Sequence, residues 1–165
     1  MLTAVPLYAN IPITSVKGLA MGTSSDNKNL PVCKKTIGEL SKDAKTFFIP
    51  SYQRGYRWGE NEVKQLFDDL WGAMKANKEY CLQPLVVMKK GNQWRVIDGQ
   101  QRLTTLYILL KVLGQEPGFS LEYETRPGSK GFLANIATVK EEKRELEARK
   151  NPDYWHMWKA KEKLE

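Results

Sequence analysis

Apolar positions recur with two different periods along this chain, and each period predicts one kind of element. From Glu60 to Ala76 they fall at helical spacing and predict an amphipathic helix whose stripe is core, at Val63, Leu66, Phe67, Leu70, Trp71 and Met74. The same spacing from Leu103 to Leu113 predicts a second helix, and Gly114 stands where such a helix commonly ends. At least two long helices are therefore expected.

Strand-like patterns lie between and after these helices. The β-rich runs 84–90 and 93–97 flank Gly91-Asn92, a two-residue spacer that predicts a tight hairpin. Alternation from Leu121 to Arg126 predicts a half-buried strand that ends at a Pro127-Gly128 turn. Shorter helices are predicted at 36–40, from Phe132 and after Asn151-Pro152, where an aromatic cluster should pack on a hydrophobic partner. The expected class is α/β, with a small mixed sheet, a hairpin and packed helices.

The 165 residues suffice for one hydrophobic core. Residues 1–34 mix Pro, Gly and polar positions and are predicted to form an N-terminal arm or linker with room for one short strand. Residues 35–165 form the predicted domain. Because the chain stops soon after the break at Asn151-Pro152, we expect this domain to be truncated at its C-terminus.

Composition narrows the class of protein. A formal net charge of +7 favours polyanionic partners such as DNA but does not identify one. Cys33 and Cys81 show no CxxC spacing and no companion histidine, which argues against zinc or a disulfide framework and suits a reducing cytoplasm. No apolar run approaches the roughly 18 residues of a membrane span, so no membrane partner is expected.

Candidate chemistry concentrates at the predicted strand-to-helix corner, residues 98–102. Asp98 could cap the helix, with Gln101 reaching back as in a capping box. Arg102 would oppose the helix dipole at a cost of roughly 0.3 to 1 kcal/mol unless an anion compensates. A phosphate held by Arg102, the free amides and the hydroxyls of Thr104 or Thr105 would be that anion, and a carboxylate from elsewhere in the fold would serve equally.

A second polar string, from Phe47 to Trp58, alternates aromatic rings with guanidinium and amide groups. Rings of this kind stack on bases, and Arg54 and Arg57 could pair with phosphates. The alternative is that Tyr56 and Trp58 fill a core while the arginine stems cover it.

The carboxylates Asp68 and Asp69 do not predict a metal site. They occupy adjacent helical positions, which diverge in direction and make poor partners for one ion.

Two motifs in this order, Ile49-Pro50-x-Tyr52-Gln53-Arg54-x-Tyr56-x-Trp58 and Asp98-Gly99-Gln100-Gln101-Arg102-Leu103-Thr104-Thr105, resemble the signatures of the GmrSD-type restriction-system N-terminal domain family. Tyr123-x-Thr125-Arg126 and Asp153-Tyr154 resemble further family elements, so the likeness covers about residues 36 to 160. Two positions depart from the family pattern: Gln83 stands where Gly is frequent, and Gly55 where Pro is frequent. The resemblance implies a ParB/sulfiredoxin-like fold.

It also implies nucleotide-dependent defence against foreign or modified DNA, alongside a companion HNH-type nuclease domain or subunit. The implied ligand is a nucleoside triphosphate with Mg²⁺, hydrolysed by this domain. The implied catalytic residues are Asp98, Gln100 and Gln53, with Asp98 as the one candidate Mg²⁺ ligand. The implied nucleotide-binding residues are Arg102, Gln101, Gly99, Thr104, Thr105, Arg54, Tyr56 and Arg126. Two other interpretations are a non-catalytic DNA-binding module and a structural or partner-binding domain.

Overall fold

A computed structural model describes residues 16–22, 32–42, 46–78, 80–91, 93–138 and 141–165. Within these ranges the strands form a six-stranded sheet in the order β2-β1-β4-β5-β3-β6. Its strands are β1 (Val16–Gly22), β2 (Val32–Lys35), β3 (Thr46–Ile49), β4 (Leu85–Lys90), β5 (Gln93–Asp98) and β6 (Ser120–Tyr123). The helices are α1 (Ile37–Lys42), α2 (Glu60–Lys75), α3 (Gln100–Val112), α4 (Ser129–Ala134), α5 (Glu141–Ala148) and α6 (Pro152–Leu164).

Strand directions bring both polar motifs to one edge of the sheet. β3 runs parallel to both β5 and β6, so these three strands end at the same edge. β4 is antiparallel to β5 and begins there, with Val86 opposite Asp98. Ligand-binding loops commonly lie at the carboxyl ends of parallel strands, so this edge, called here the motif edge, is where a site is expected.

The main core lies between the sheet and the helices α3, α4 and α6. Phe47 and Ile49 of β3, Val96 of β5 and Leu121 of β6 face it, and each is at most 1% exposed. Met157 and Trp158 of α6 are also buried in it, which confirms that the aromatic cluster packs on a hydrophobic partner. The long helices, the hairpin strands and β6 confirm the α/β class. The ParB/sulfiredoxin-like assignment stays a prediction.

One sequence expectation about the core is wrong in part. Of the α2 stripe only Val63 and Leu66 are buried. Trp71 is 40% exposed and stacks on Phe67, with ring centroids 6.2 Å apart. Phe67, Leu70 and Met74 are half-buried, so the second half of the stripe is only partly covered.

Part of the predicted N-terminal arm joins the sheet. β1 pairs with β2 in antiparallel and with β4 in parallel orientation. The rest of residues 1–34 and Asn92 of the predicted hairpin turn lie outside the described residues. The domain boundary between residues 34 and 35 stays a prediction. Of the helices in the described ranges, none has the length and apolar character that crossing a membrane requires.

Candidate functional site

The first motif forms a loop that is tied down over the beginning of α3. Gln101 makes the central attachment: it is 7% exposed, and within the described ranges the hydrogen bonds of its side chain all go to loop backbone. Its Nε2 donates to the carbonyl oxygen of Gly55 at 3.0 Å, and its Oε1 accepts from the amides of Arg57 at 2.8 Å and Trp58 at 3.3 Å. One buried amide therefore satisfies three backbone groups of a segment that has no secondary structure of its own.

Two further glutamines complete the attachment. Gln100 Nε2 donates to the carbonyl oxygen of Arg54 at 2.8 Å, and Gln53 Nε2 donates to that of Ile97 at 2.6 Å. Gln100 is 5% exposed, and its Oε1 is buried without a hydrogen-bond partner among the described residues. The two predicted motifs thus meet in space through their glutamines.

The corner itself requires glycine at position 99. Gly99 begins α3 with φ of 92°, in the left-handed region, and makes no side-chain cap. A Cβ there would lie 3.0 Å from Leu85 Cδ1 and 3.3 Å from Arg102 Nη2. The capping prediction is therefore wrong: Asp98 lies before the N-cap, and Gln101 is engaged with the first motif instead.

Thr104 and Thr105 lie inside the core. The Thr104 hydroxyl is 2.7 Å from Tyr123 Oη, and the Thr105 hydroxyl is 2.9 Å from Tyr56 Oη. Both threonines and both tyrosines are at most 2% exposed, and burial raises the pKa of each tyrosine. A phosphate would have to displace a tyrosine to reach these hydroxyls, so the expectation that Thr104, Thr105 and Tyr56 contact a nucleotide does not fit the geometry.

Arg102 lies in the first turn of α3 and is half-buried. Its guanidinium donates from Nη1 to Gln83 Oε1 at 2.6 Å and from Nη2 to the carbonyl oxygen of Pro84 at 2.8 Å. Neither partner is the anion that the helix-dipole argument calls for. Gln83, one of the two departures from the family pattern, is thus the residue that orients this arginine.

Arg102 also lines a cleft of about 400 Å³, called here the α2 cleft. One side is a face of α2, and the other is formed by Trp58, Arg102, Tyr80, Leu82 and Gln83. Tyr80 Oη donates to Asp69 Oδ2 at 2.7 Å. Desolvation and this hydrogen bond raise the pKa of Tyr80 to about 12, so its hydroxyl keeps its proton at neutral pH.

A buried carboxylate anchors the other side of the loop. Asp153, at the start of α6, is fully buried and pairs with Arg57 and with Arg126, whose Nε is 2.8 Å from Asp153 Oδ2. A Cβ at Gly55 would collide with this carboxylate, so glycine is required at this departure from the family pattern. Arg57 thus ties α6 to the loop, and Arg126, predicted to bind nucleotide, ties α6 to the segment after β6.

Two charged residues of the motifs remain available. Arg54 and Asp98 are both exposed, and their side chains have no partner among the residues that the structure describes. Gln53 is half-buried and its Oε1 is likewise unengaged within those ranges. The backbone that carries these three side chains is anchored by the hydrogen bonds of Gln100 to Arg54 and of Gln53 to Ile97.

Sequence reasoning did not find the side chains of the α2 cleft or the burial of Asp153. Helical spacing places Gln65 and Asp69 on one face of α2, but no local signal places Tyr80 or Arg102 opposite them. Asp153 follows Asn151-Pro152 and its amide donates to Asn151 Oδ1, a pattern typical of an exposed first-turn acid.

A metal site made by protein alone is not evident. In the described ranges no three His, Cys, Asp or Glu side chains cluster so that they could hold an ion. Any Mg²⁺ at Asp98 would therefore need ligands from phosphate and water, as is usual for this ion.

Comparison with known proteins identifies the family. The family model described as the GmrSD restriction endonuclease, N-terminal domain, matches residues 37–164. Comparison with curated proteins gives no significant match. The matched span contains both motifs, the α2 cleft and the Asp153 pairs. This chain therefore belongs to the GmrSD restriction endonuclease N-terminal domain family.

Proposed function

We propose that this chain binds a nucleoside triphosphate at the motif edge and hydrolyses it, as the nucleotide-dependent part of a restriction system acting on foreign or modified DNA. One observation carries the proposal. Arg54 and Asp98 are exposed and have no partner among the described residues, yet the backbone around them is anchored by side-chain amides: Gln100 bonds to the Arg54 carbonyl, and Gln53 bonds to the Ile97 carbonyl just before Asp98. An anchored loop and corner that present a cation and a carboxylate, neither of them paired within the described ranges, are suited to bind a ligand from solution.

Phosphate binding would use groups on both motifs. The amides of Gln100 and Gln101 precede the first hydrogen bond of α3, which Leu103 donates to Gly99. With the positive end of the helix dipole they favour an anion. Arg54 would add a guanidinium from the loop, and the guanidinium of Arg102 would lie where the motif edge meets the α2 cleft.

Hydrolysis would need a group that orients water. Gln53 is better placed for this than Gln100, because Gln53 is only half-buried and its Oε1 has no partner among the described residues, whereas Gln100 Oε1 is buried. Asp98 would hold Mg²⁺, which would neutralise phosphate charge when bound. Cytoplasmic location and DNA as a partner belong to the same proposal, supported by family membership and the net charge of +7.

The decisive measurement is thermal stabilisation by ATP, GTP, CTP or UTP with Mg²⁺, with phosphate release followed in the same samples. We expect at least one triphosphate to stabilise the wild type, and Arg54→Ala to weaken its binding by about tenfold or more. Gln53→Ala should keep binding but lose phosphate release. Arg149→Ala is the control and should behave as wild type, because Arg149 lies just after α5 and pairs with Glu145 of that helix. Stabilisation that is equal in Arg54→Ala would contradict the proposal.

We further expect that this chain alone does not cut DNA. An HNH-type site needs a histidine base together with metal ligands, and His156 is the only histidine in the sequence. It is half-buried on α6 beside Trp155 and Met157. Cleavage would then come from a companion nuclease domain or subunit.

The test is incubation of modified and unmodified plasmids with the chain, Mg²⁺ or Mn²⁺ and each triphosphate. Intact plasmid is the expected result. Cleavage that disappears in His156→Ala would show the expectation to be wrong.

A further inference from the structure

The α2 cleft contains two glutamine amides whose orientation is fixed by charged neighbours. Gln65 Nε2 donates to Asp69 Oδ1 at 3.2 Å, and a carboxylate can only accept, so Gln65 keeps its Oε1 as a free acceptor. Gln83 Oε1 accepts from Arg102, which can only donate, so Gln83 keeps its NH₂ group as a free donor. Neither free group has a partner among the described residues, and both residues line the cleft.

The rest of the lining suits a flat, uncharged ring. Trp58 and Tyr80 supply aromatic surface, and Leu66 and Leu82 are buried apolar residues of the same lining. Among the described residues that line the cleft, Asp69 and Glu62 supply two carboxylates against the single guanidinium of Arg102. A phosphate placed in the cleft would meet more negative than positive charge, so the cleft disfavours the charged part of a nucleotide.

The position of the cleft joins it to the motif edge. Arg102 lines the cleft, and its Nη2 lies 3.3 Å from the Cβ position of Gly99. Trp58 enters the cleft lining from the same loop that carries Arg54, with its amide bound to Gln101. A ligand with one charged and one aromatic part could therefore lie with the charged part at the motif edge and the aromatic part in the cleft.

We infer that the α2 cleft binds a nucleobase, with Gln65 accepting from and Gln83 donating to its hydrogen-bonding edge beside Trp58. Every nucleobase offers a neighbouring donor and acceptor on one edge together with a face that stacks on aromatic rings. This inference rests on the proposed function, since the base would belong to the triphosphate held at Arg54.

The test compares a triphosphate with inorganic tripolyphosphate, which lacks base and sugar. Gln65→Ala should weaken binding of the triphosphate by about fivefold and leave tripolyphosphate affinity within about twofold of wild type. Arg54→Ala should weaken both ligands. Lys64→Ala is the matched control, because Lys64 is next to Gln65 but pairs with Asp68 on the exposed side of α2.

The outcomes separate the inference from the function on which it rests. Triphosphate affinity that is unchanged in Gln65→Ala but lost in Arg54→Ala would overturn the base site and leave the proposed function standing. If neither triphosphate nor tripolyphosphate binds the wild type, the proposed function fails. In that case free nucleosides test the cleft by themselves. The indole NMR signal of Trp58, assigned with the Trp58→Phe variant, is followed as each nucleoside is added. A shift that is lost in Gln65→Ala would support the cleft as a base site. The absence of any shift with all four nucleosides would overturn it.

Discussion

Replacing Gln101 with alanine should lower the free energy of unfolding by about 2 to 4 kcal/mol. The side chain is 7% exposed, and its loss leaves Gly55 O, Arg57 N and Trp58 N without their partner. Leaving a partly buried polar group unsatisfied costs about 1 to 3 kcal/mol, and some relaxation of the loop toward water reduces the sum. Urea denaturation monitored by tryptophan fluorescence measures this change directly.

Two comparison variants make the Gln101 result specific. Gln101→Glu keeps an acceptor for the two amides but places a carboxylate against the Gly55 carbonyl, so it should also be destabilised. Gln115→Ala removes an exposed glutamine just after α3 and should change stability by less than about 0.5 kcal/mol. A Gln101→Ala variant as stable as Gln115→Ala would show that the loop is held by other contacts.

The second motif therefore combines two kinds of residue in one short segment. Gly99, Gln100 and Gln101 build the corner and hold the loop, whereas Asp98 and Arg102 remain at its surface. The same division occurs in the first motif, where Tyr56 is buried and Arg54 is exposed. Residues with the same polar appearance in sequence are thus separated by burial into structural and ligand-binding candidates.

Sequence patterns predicted the elements around the site better than the site itself. The limits of α2, α3 and the hairpin strands follow from hydrophobic period and from glycine positions, which are local properties. β3 was not predicted as a strand, because four residues ahead of a proline give too short a pattern. Its place between β5 and β6 depends on pairing with distant segments.

The capping prediction failed for a related reason. Asp98 and Gln101 have suitable residue types and the three-residue spacing of a capping box, and local chemistry alone cannot reject that arrangement. Contacts with residues far away in sequence exclude the capping box. Gln101 bonds to Gly55, and Gly99 takes a left-handed conformation against Leu85. The roles of Thr104 and Thr105 were missed in the same way, because the tyrosines that occupy their hydroxyls lie on other segments.

Replacing Asp153 with asparagine should destabilise the domain by about 2 to 4 kcal/mol, because two cations lose their common counter-ion. The carboxylate is fully buried, while the side chains of Arg57 and Arg126 are 38% and 30% exposed. Breaking a fully buried ion pair costs about 3 to 5 kcal/mol, and the partial exposure of both arginines to water lowers that figure.

Asp68→Asn is the matched control for this change. It removes the same charge from an exposed pair with Lys64 at i,i+4 spacing, and such pairs contribute only about 0.3 to 0.5 kcal/mol.

Asp153→Glu tests the packing separately. Gly55 leaves no room for a longer side chain, so this variant should be destabilised although it keeps the charge. Because Arg57 belongs to the loop, Arg126 to the segment after β6 and Asp153 to α6, the loss should appear in one cooperative unfolding transition. Equal stability of Asp153→Asn and Asp68→Asn would mean that this buried carboxylate does not hold the three segments together.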